Sequence, residues 1–174
     1  MNIIVDDDLV LDSSNKFEAI NSITLNLKSL TNNAQFISND NITINTSDYI
    51  VNNASLSSGN TITLNAVNYI TNNDSNETLF GIRGAFTNLN TNLLTNYGLI
   101  SSLYDMNIKV NDIVNYGGIA SANTDNYSSI MNITANNLTN YNTIYSNDDI
   151  NLFIKDNILN QNATIYATNN ITIQ

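Results

Sequence analysis

The stretch NITINTSDYIVNNASLSSGNTITLNAVNYITNN, residues 41–73, says one phrase twice. Ile42-Thr43-Ile44 returns as Ile62-Thr63-Leu64, and Ile50-Val51-Asn52-Asn53 returns as Ile70-Thr71-Asn72-Asn73. A fixed period of about 20 residues marks a solenoid. Within each unit short runs alternate apolar and polar residues, which is a strand period and not a helical one. Enrichment in Thr, Val, Ile and Tyr agrees with strands. A unit this short cannot bury its own apolar side, so units must stack to share a core.

The phrase extends in both directions from that pair. Upstream stand Ile23-Thr24-Leu25, Leu30-Thr31-Asn32-Asn33 and Phe36. Downstream it returns at 94–101, 108–121, 133–146 and 150–167, and the chain stops at Ile171-Thr172-Ile173-Gln174. The predicted fold is all-β, a parallel β-helix of about seven to eight coils. At about 4.8 Å per coil the rod is roughly 35 Å long. Equivalent residues then pile into columns. One inward column is predicted as Ile23, Ile42, Ile62, Ile108, Ile133, Ile150 and Ile171, and the next as Leu25, Ile44, Leu64, Val110, Ala135, Leu152 and Ile173. Thr24, Thr43, Thr63, Lys109, Thr134, Asn151 and Thr172 point outward between them. A further column holds one amide per coil: Asn32, Asn52, Asn72, Asn96, Asn115, Asn140 and Asn160. Amides at strand spacing satisfy one another along a stack, so this column is predicted to be a structural ladder. Asn and Gly after it are expected to supply turns through left-handed backbone.

Two regions depart from the period. Residues 1–20 read as an irregular first coil, with short strands on either side of Asp6-Asp7-Asp8. Residues 75–92 break the phrase and are predicted to leave the helix as an inserted loop. That loop carries the one arginine, Arg83, between Gly81 and Gly84, with Phe80 and Phe86 near it. Loops leaving a solenoid are where binding surfaces are placed, so Phe80, Arg83 and Phe86 are the candidate binding residues. A shorter polar excursion is expected at 122–129.

The phrase Leu94-Thr95-Asn96-Tyr97-Gly98-Leu99-Ile100-Ser101, followed by Ile108-Lys109-Val110, resembles the repeats of filamentous haemagglutinin-type exoproteins. Residues 113–121, 138–146 and 158–167 fit the same pattern, and Asn33-Ala34 and Asn53-Ala54 depart from it by lacking glycine. The resemblance covers roughly residues 21–174, less the two interruptions at 75–92 and 122–129. It implies a right-handed parallel β-helix and export through an outer-membrane two-partner secretion transporter. It also implies a long stalk on a Gram-negative surface, in an adhesin or a contact-dependent growth inhibition toxin. The expected partner is a host-cell or bacterial surface receptor or glycan. The alternatives are the toxin shaft, or a carbohydrate-binding or carbohydrate-cleaving β-helix such as a phage fibre.

Composition narrows the chemistry. Five basic residues stand against fifteen acidic ones, a net charge of −10. Nucleic acid and anionic membranes need clustered Lys and Arg, so neither is an expected partner. No apolar run reaches the length that spans a bilayer. Without cysteine there is no disulfide or thiolate metal site, and without histidine the common acid–base pairings are missing. No enzymatic activity, metal or cofactor is therefore expected. Met1 to Asp8 lacks the basic start and apolar stretch of a signal peptide, so an exported chain is expected to be an excised piece of a longer protein or to have had its signal removed, secreted or displayed at the cell surface, and monomeric as a fragment. Asn-x-Ser/Thr sequons are frequent, at Asn45, Asn53, Asn132 and Asn137 among others, as this much Asn and Thr makes common.

Overall fold

A computed structural model describes residues 1–73, 81–122 and 127–174, and every described strand pair in it is parallel. The chain winds into about eight turns. The first is β1 (Asn2–Leu11) and β2 (Lys16–Ala19), the second β3 (Ile23–Asn32) and β4 (Gln35–Ser38). Turn 3 holds β5 (Ile42–Thr46), β6 (Tyr49–Asn52) and β7 (Ser55–Ser58); turn 4 holds β8 (Thr61–Ala66), β9 (Tyr69–Asn72) and β10 (Gly81–Gly84). Then come β11 (Phe86–Asn96) with β12 (Leu99–Ser102), β13 (Met106–Asn115) with β14 (Gly118–Ser121), and β15 (Met131–Asn140) with β16 (Thr143–Ser146). Turn 8 is β17 (Ile150–Asn160) with β18 (Thr164–Ala167), and β19 (Ile171–Ile173) lies on it.

Each turn contributes to two sheets. The long strands bend around a corner and serve two faces, so β3 pairs with both β5 and β6, and β11 with both β8 and β9. The short strands β2, β4, β7, β10, β12, β14, β16 and β18 make the second sheet. Backbone hydrogen bonds therefore run along the axis, and the interior is one continuous apolar column set from Leu11 to Leu152. Burying each Ile or Leu contributes about 1.5–3 kcal/mol before entropy is subtracted.

The amide column is present as predicted. Asn32, Asn52, Asn72, Asn96, Asn115 and Asn140 are wholly buried. Each Nδ2 donates to the Oδ1 of the next turn: Asn32 to Asn52 at 2.8 Å, Asn52 to Asn72 at 2.9 Å, Asn72 to Asn96 at 2.8 Å, Asn96 to Asn115 at 2.8 Å, Asn115 to Asn140 at 2.7 Å and Asn140 to Asn160 at 2.7 Å. The second amide hydrogen turns to a main-chain carbonyl, as from Asn52 to Ala54 at 2.9 Å. A buried amide left unpaired costs about 1–3 kcal/mol, so the ladder locks the register of successive turns. Serine hydroxyls do similar service at the other corner: Ser58 Oγ donates to the Asp40 carbonyl at 2.6 Å and Ser102 Oγ to that of Ala85 at 2.8 Å.

Four sequence expectations are corrected. The first concerns register. Ile62 pairs with Thr87, Thr87 with Met106 and Met106 with Met131, while Leu64 stands in line with Leu89, Ile108 and Ile133. Ile108 and Ile133 thus belong to the second inward column, and the predicted columns were two residues out across turns 6 and 7. A slip of two preserves which residues face inward, so alternation alone cannot detect it. The outward row likewise reads Thr63, Asn88, Asn107, Asn132 and Asn151, and Lys109 and Thr134 lie one row on, in line with Asn90 and Phe153.

Second, 81–92 is not a loop. Ile82, Leu89 and Thr87 are buried in strands β10 and β11, which pair on both sides. Residues 75–80, Phe80 included, lie outside the described residues. Third, the first coil is paired along both its strands, and its irregularity is confined to one register shift between Val5 and Asp8: β1 pairs with β3 and β2 with β4. Fourth, left-handed backbone is rarer in the turns than expected: Asn162, two residues after Asn160, adopts it, and the turn glycines Gly98 and Gly117 do not. Among the described residues only Asn162 and Gly81 have positive φ. Gly117 is needed for another reason, since a Cβ there would sit 2.0 Å from the Gly98 carbonyl oxygen of the turn below.

Candidate functional site

The outer surface is built by the same stacking as the interior, with side chains left free to change. Along much of this surface aligned asparagines bond, and here the direction reverses: Asn45 Nδ2 donates back to Asn26 at 2.8 Å and Asn65 back to Asn45 at 2.8 Å. Asn53 and Asn73 repeat this along a corner at 2.7 and 2.6 Å. Aspartate accepts but cannot donate. It therefore sits at the N-terminal foot of such ladders: Asp48 accepts from Asn68 at 2.8 Å, and Asp112 from Asn137 at 2.7 Å. The sequons at Asn45, Asn53, Asn132 and Asn137 lie inside these outer ladders, so a glycan on any of them would sit on the amide nitrogen that donates a rung.

Beyond the fourth turn the corner that carried Asn33, Asn53 and Asn73 carries tyrosine. Tyr97, Tyr116 and Tyr141 stack face to face with centroids 5.0 Å apart in each pair. Their faces are occupied by one another, so the stack offers solvent hydroxyls and edges.

Arg83 and Phe86 are placed on different surfaces. Arg83 projects from β10 between Ser57 and Ser101 into a shallow cleft with Leu99 and Leu103. Its glycine neighbours serve packing: Gly81 takes a φ of 120°, and a Cβ on it would meet the Leu99 carbonyl oxygen at 2.2 Å. Phe86 opens β11 and lies 5.2 Å from Tyr104, with Tyr127 edge-on to Tyr104 at 5.9 Å. The two residues line separate clefts and do not form one site.

A further concavity lies along the bend of the long strands. It extends from Thr46 of turn 3 across turns 4 to 8 and has a volume of about 590 Å³. One wall is Asn65, Asn90, Lys109, Thr134 and Phe153; the other is Val67, Asn92, Asn111, Asn136 and Lys155. Ala66, Thr91, Val110 and Ala135 come between them in sequence, are buried, and make the floor. These floor residues are small or β-branched. The Thr91 hydroxyl is buried with no hydrogen-bond partner among the described residues. Sequence reading missed this groove. The signal available was the change from Asn to Lys, Thr and Phe along one outward row, and the two-residue slip hid it.

Comparison with protein-family models, curated proteins and solved structures returns no match to this chain. Among the described residues no group of three or more acidic side chains is arranged to hold a metal ion.

Proposed function

We propose that this chain is a shaft segment of a secreted, surface-exposed adhesin of the filamentous haemagglutinin-like type. The observation that supports it best is the unbroken amide spine through seven turns, joined at 2.7–2.9 Å per step, within a wholly parallel ladder. Such a rod holds its length without disulfides, which suits a part that spaces other modules from a surface. Export through an outer-membrane transporter of the two-partner type, and a surface receptor or glycan as the eventual partner, belong to the same reading. The shaft of a contact-dependent toxin would need the same rod; the coding sequence flanking these residues separates the two.

Antibody raised against the chain tests the reading. It should label intact cells of the producing organism and lose its target when they are shaved with protease. Label that appears only after lysis defeats the surface assignment. Sedimentation of the purified chain should give one copy; a trimer would favour a fibre instead.

A further inference from the structure

We propose that the groove along turns 4 to 8 binds a linear acidic polysaccharide of the polyuronate class, with Lys109 and Lys155 taking its carboxylates. Three features of the groove carry this, and none depends on where the protein resides.

The first is charge. Lys16 pairs with Glu18 at 2.8 Å and Lys28 with Asp8 at 3.4 Å. Lys109 and Lys155 carry no ion pair to any described residue, and both line this groove. Among the described residues no acidic side chain lines it. The net charge of −10 repels polyanions in general, but at physiological salt that repulsion is screened over about 8 Å. Asp112 and Asp156 stand one residue beyond Asn111 and Lys155, and among the described side chains that line the groove the two ammonium groups are the charged ones.

The second is unsatisfied hydrogen bonding. The outer ladder Asn26–Asn45–Asn65 stops where the groove begins, and the Asn90 side chain bonds to no described residue. Asn136 is likewise without a side-chain partner, although it follows Asn111 in its row, and the Thr91 hydroxyl is orphaned in the floor. Elsewhere on this surface aligned asparagines bond to each other. Here donors and acceptors are left for hydroxyl groups of a ligand. Rotation about χ1 would exchange the Thr91 methyl for its hydroxyl at the floor.

The third is dimension. Lys109 and Lys155 lie two turns apart, about 10 Å along the axis at the ordinary rung spacing. The repeat of a 1,4-linked pyranose chain is close to one rung, so carboxylates two sugars apart match the axial separation of the two lysines, which would reach them from opposite walls. The exposed Phe153 ring offers the apolar surface that a sugar's C–H face needs. An acidic peptide fits less well. It rises about 3.3 Å per residue and gains most of its affinity from a free strand edge. The strands flanking the groove are already paired on both sides over most of its length.

The test is calorimetric titration of the purified chain with oligogalacturonate of four to six sugars. Cellopentaose serves as the neutral control and poly-L-glutamate as the acidic peptide. Binding of the uronate alone is expected, weakening as salt is raised. Lys109→Gln with Lys155→Gln should weaken it roughly tenfold or more, the loss of two charge-assisted contacts. Phe153→Ala should weaken it several-fold, and Arg83→Ala, on another cleft, should leave it unchanged. All these side chains are exposed, and unchanged melting of each variant verifies folding. No binding of the uronate, equal binding of polyglutamate, or undiminished binding by the folded double lysine variant each overturns the proposal.

Discussion

The buried amide column and the outward row from Asn26 to Phe153 are both stacks with one residue per turn. The buried column stays asparagine from turn 2 to turn 8. The outward row reads Asn26, Asn45, Asn65, Asn90, Lys109, Thr134 and Phe153, and its ladder ends at Asn65. The difference follows from solvent. Inside, an amide that loses its neighbour finds no water and bears the full desolvation cost. Outside, water replaces a lost neighbour at almost no cost. Identity is therefore enforced along the spine and released on the surface, and the released segment is the one that lines the groove.

The sharpest test replaces one spine residue. Asn115→Leu leaves the Asn140 Oδ1 and one Asn96 hydrogen without their partner, and should cost about 2–3 kcal/mol, read by denaturant melts. A loss near zero would remove the asymmetry between the two columns. Next comes Gly117→Ala, which drives a Cβ into the Gly98 carbonyl and should cost about 1–3 kcal/mol in the same melts. Tyr116→Ala removes two stacked contacts from the surface corner, and about 1 kcal/mol is expected. The counterpart of the first variant, Asn45→Ser in the outer ladder, should change stability by no more than about 0.5 kcal/mol. A cost equal to that of Asn115→Leu would mean that the surface ladder bears as much as the spine.

Acid should act on the first turn before the rest. Ser29 Oγ donates to Asp8 at 2.6 Å, and that bond, helped by Lys28, holds the Asp8 carboxyl below the usual carboxylate range. A depressed carboxyl stabilises the folded state above its unfolded pKa, and the contribution is lost as pH falls through the folded value. Amide exchange in β1 should therefore accelerate first as pH is lowered below about 4, with the spine still protected. Simultaneous loss along the rod would contradict this.

Much of the architecture was legible in residues 41–73. The repeated Ile-Thr-Ile and Ile-x-Asn-Asn runs show period, strand and stacking together, since alternation reports which side of a strand is buried. The amide column could be read residue by residue for the same reason. The reading failed at Thr87, Met106 and Met131, whose side chains break the Ile pattern of the first column without changing inward parity. It failed again at Phe86 to Asn92, where an atypical sequence folds as an ordinary rung because its neighbours on both sides supply the pairing. The candidate trio fared accordingly: Arg83 and Phe86 sit on strands facing separate clefts, and Phe80 lies outside the described residues.

By itself, then, the order of residues determined that this protein is a stack of rungs with an oily and amide-lined interior, because burial alternates with a period no helix shares. Tertiary structure alone decided which side chains meet across turns. Lys109, Phe153 and Lys155 become neighbours only when the register between rungs and the bend of each long strand are set, and a two-residue slip that leaves the interior pattern intact would place them apart.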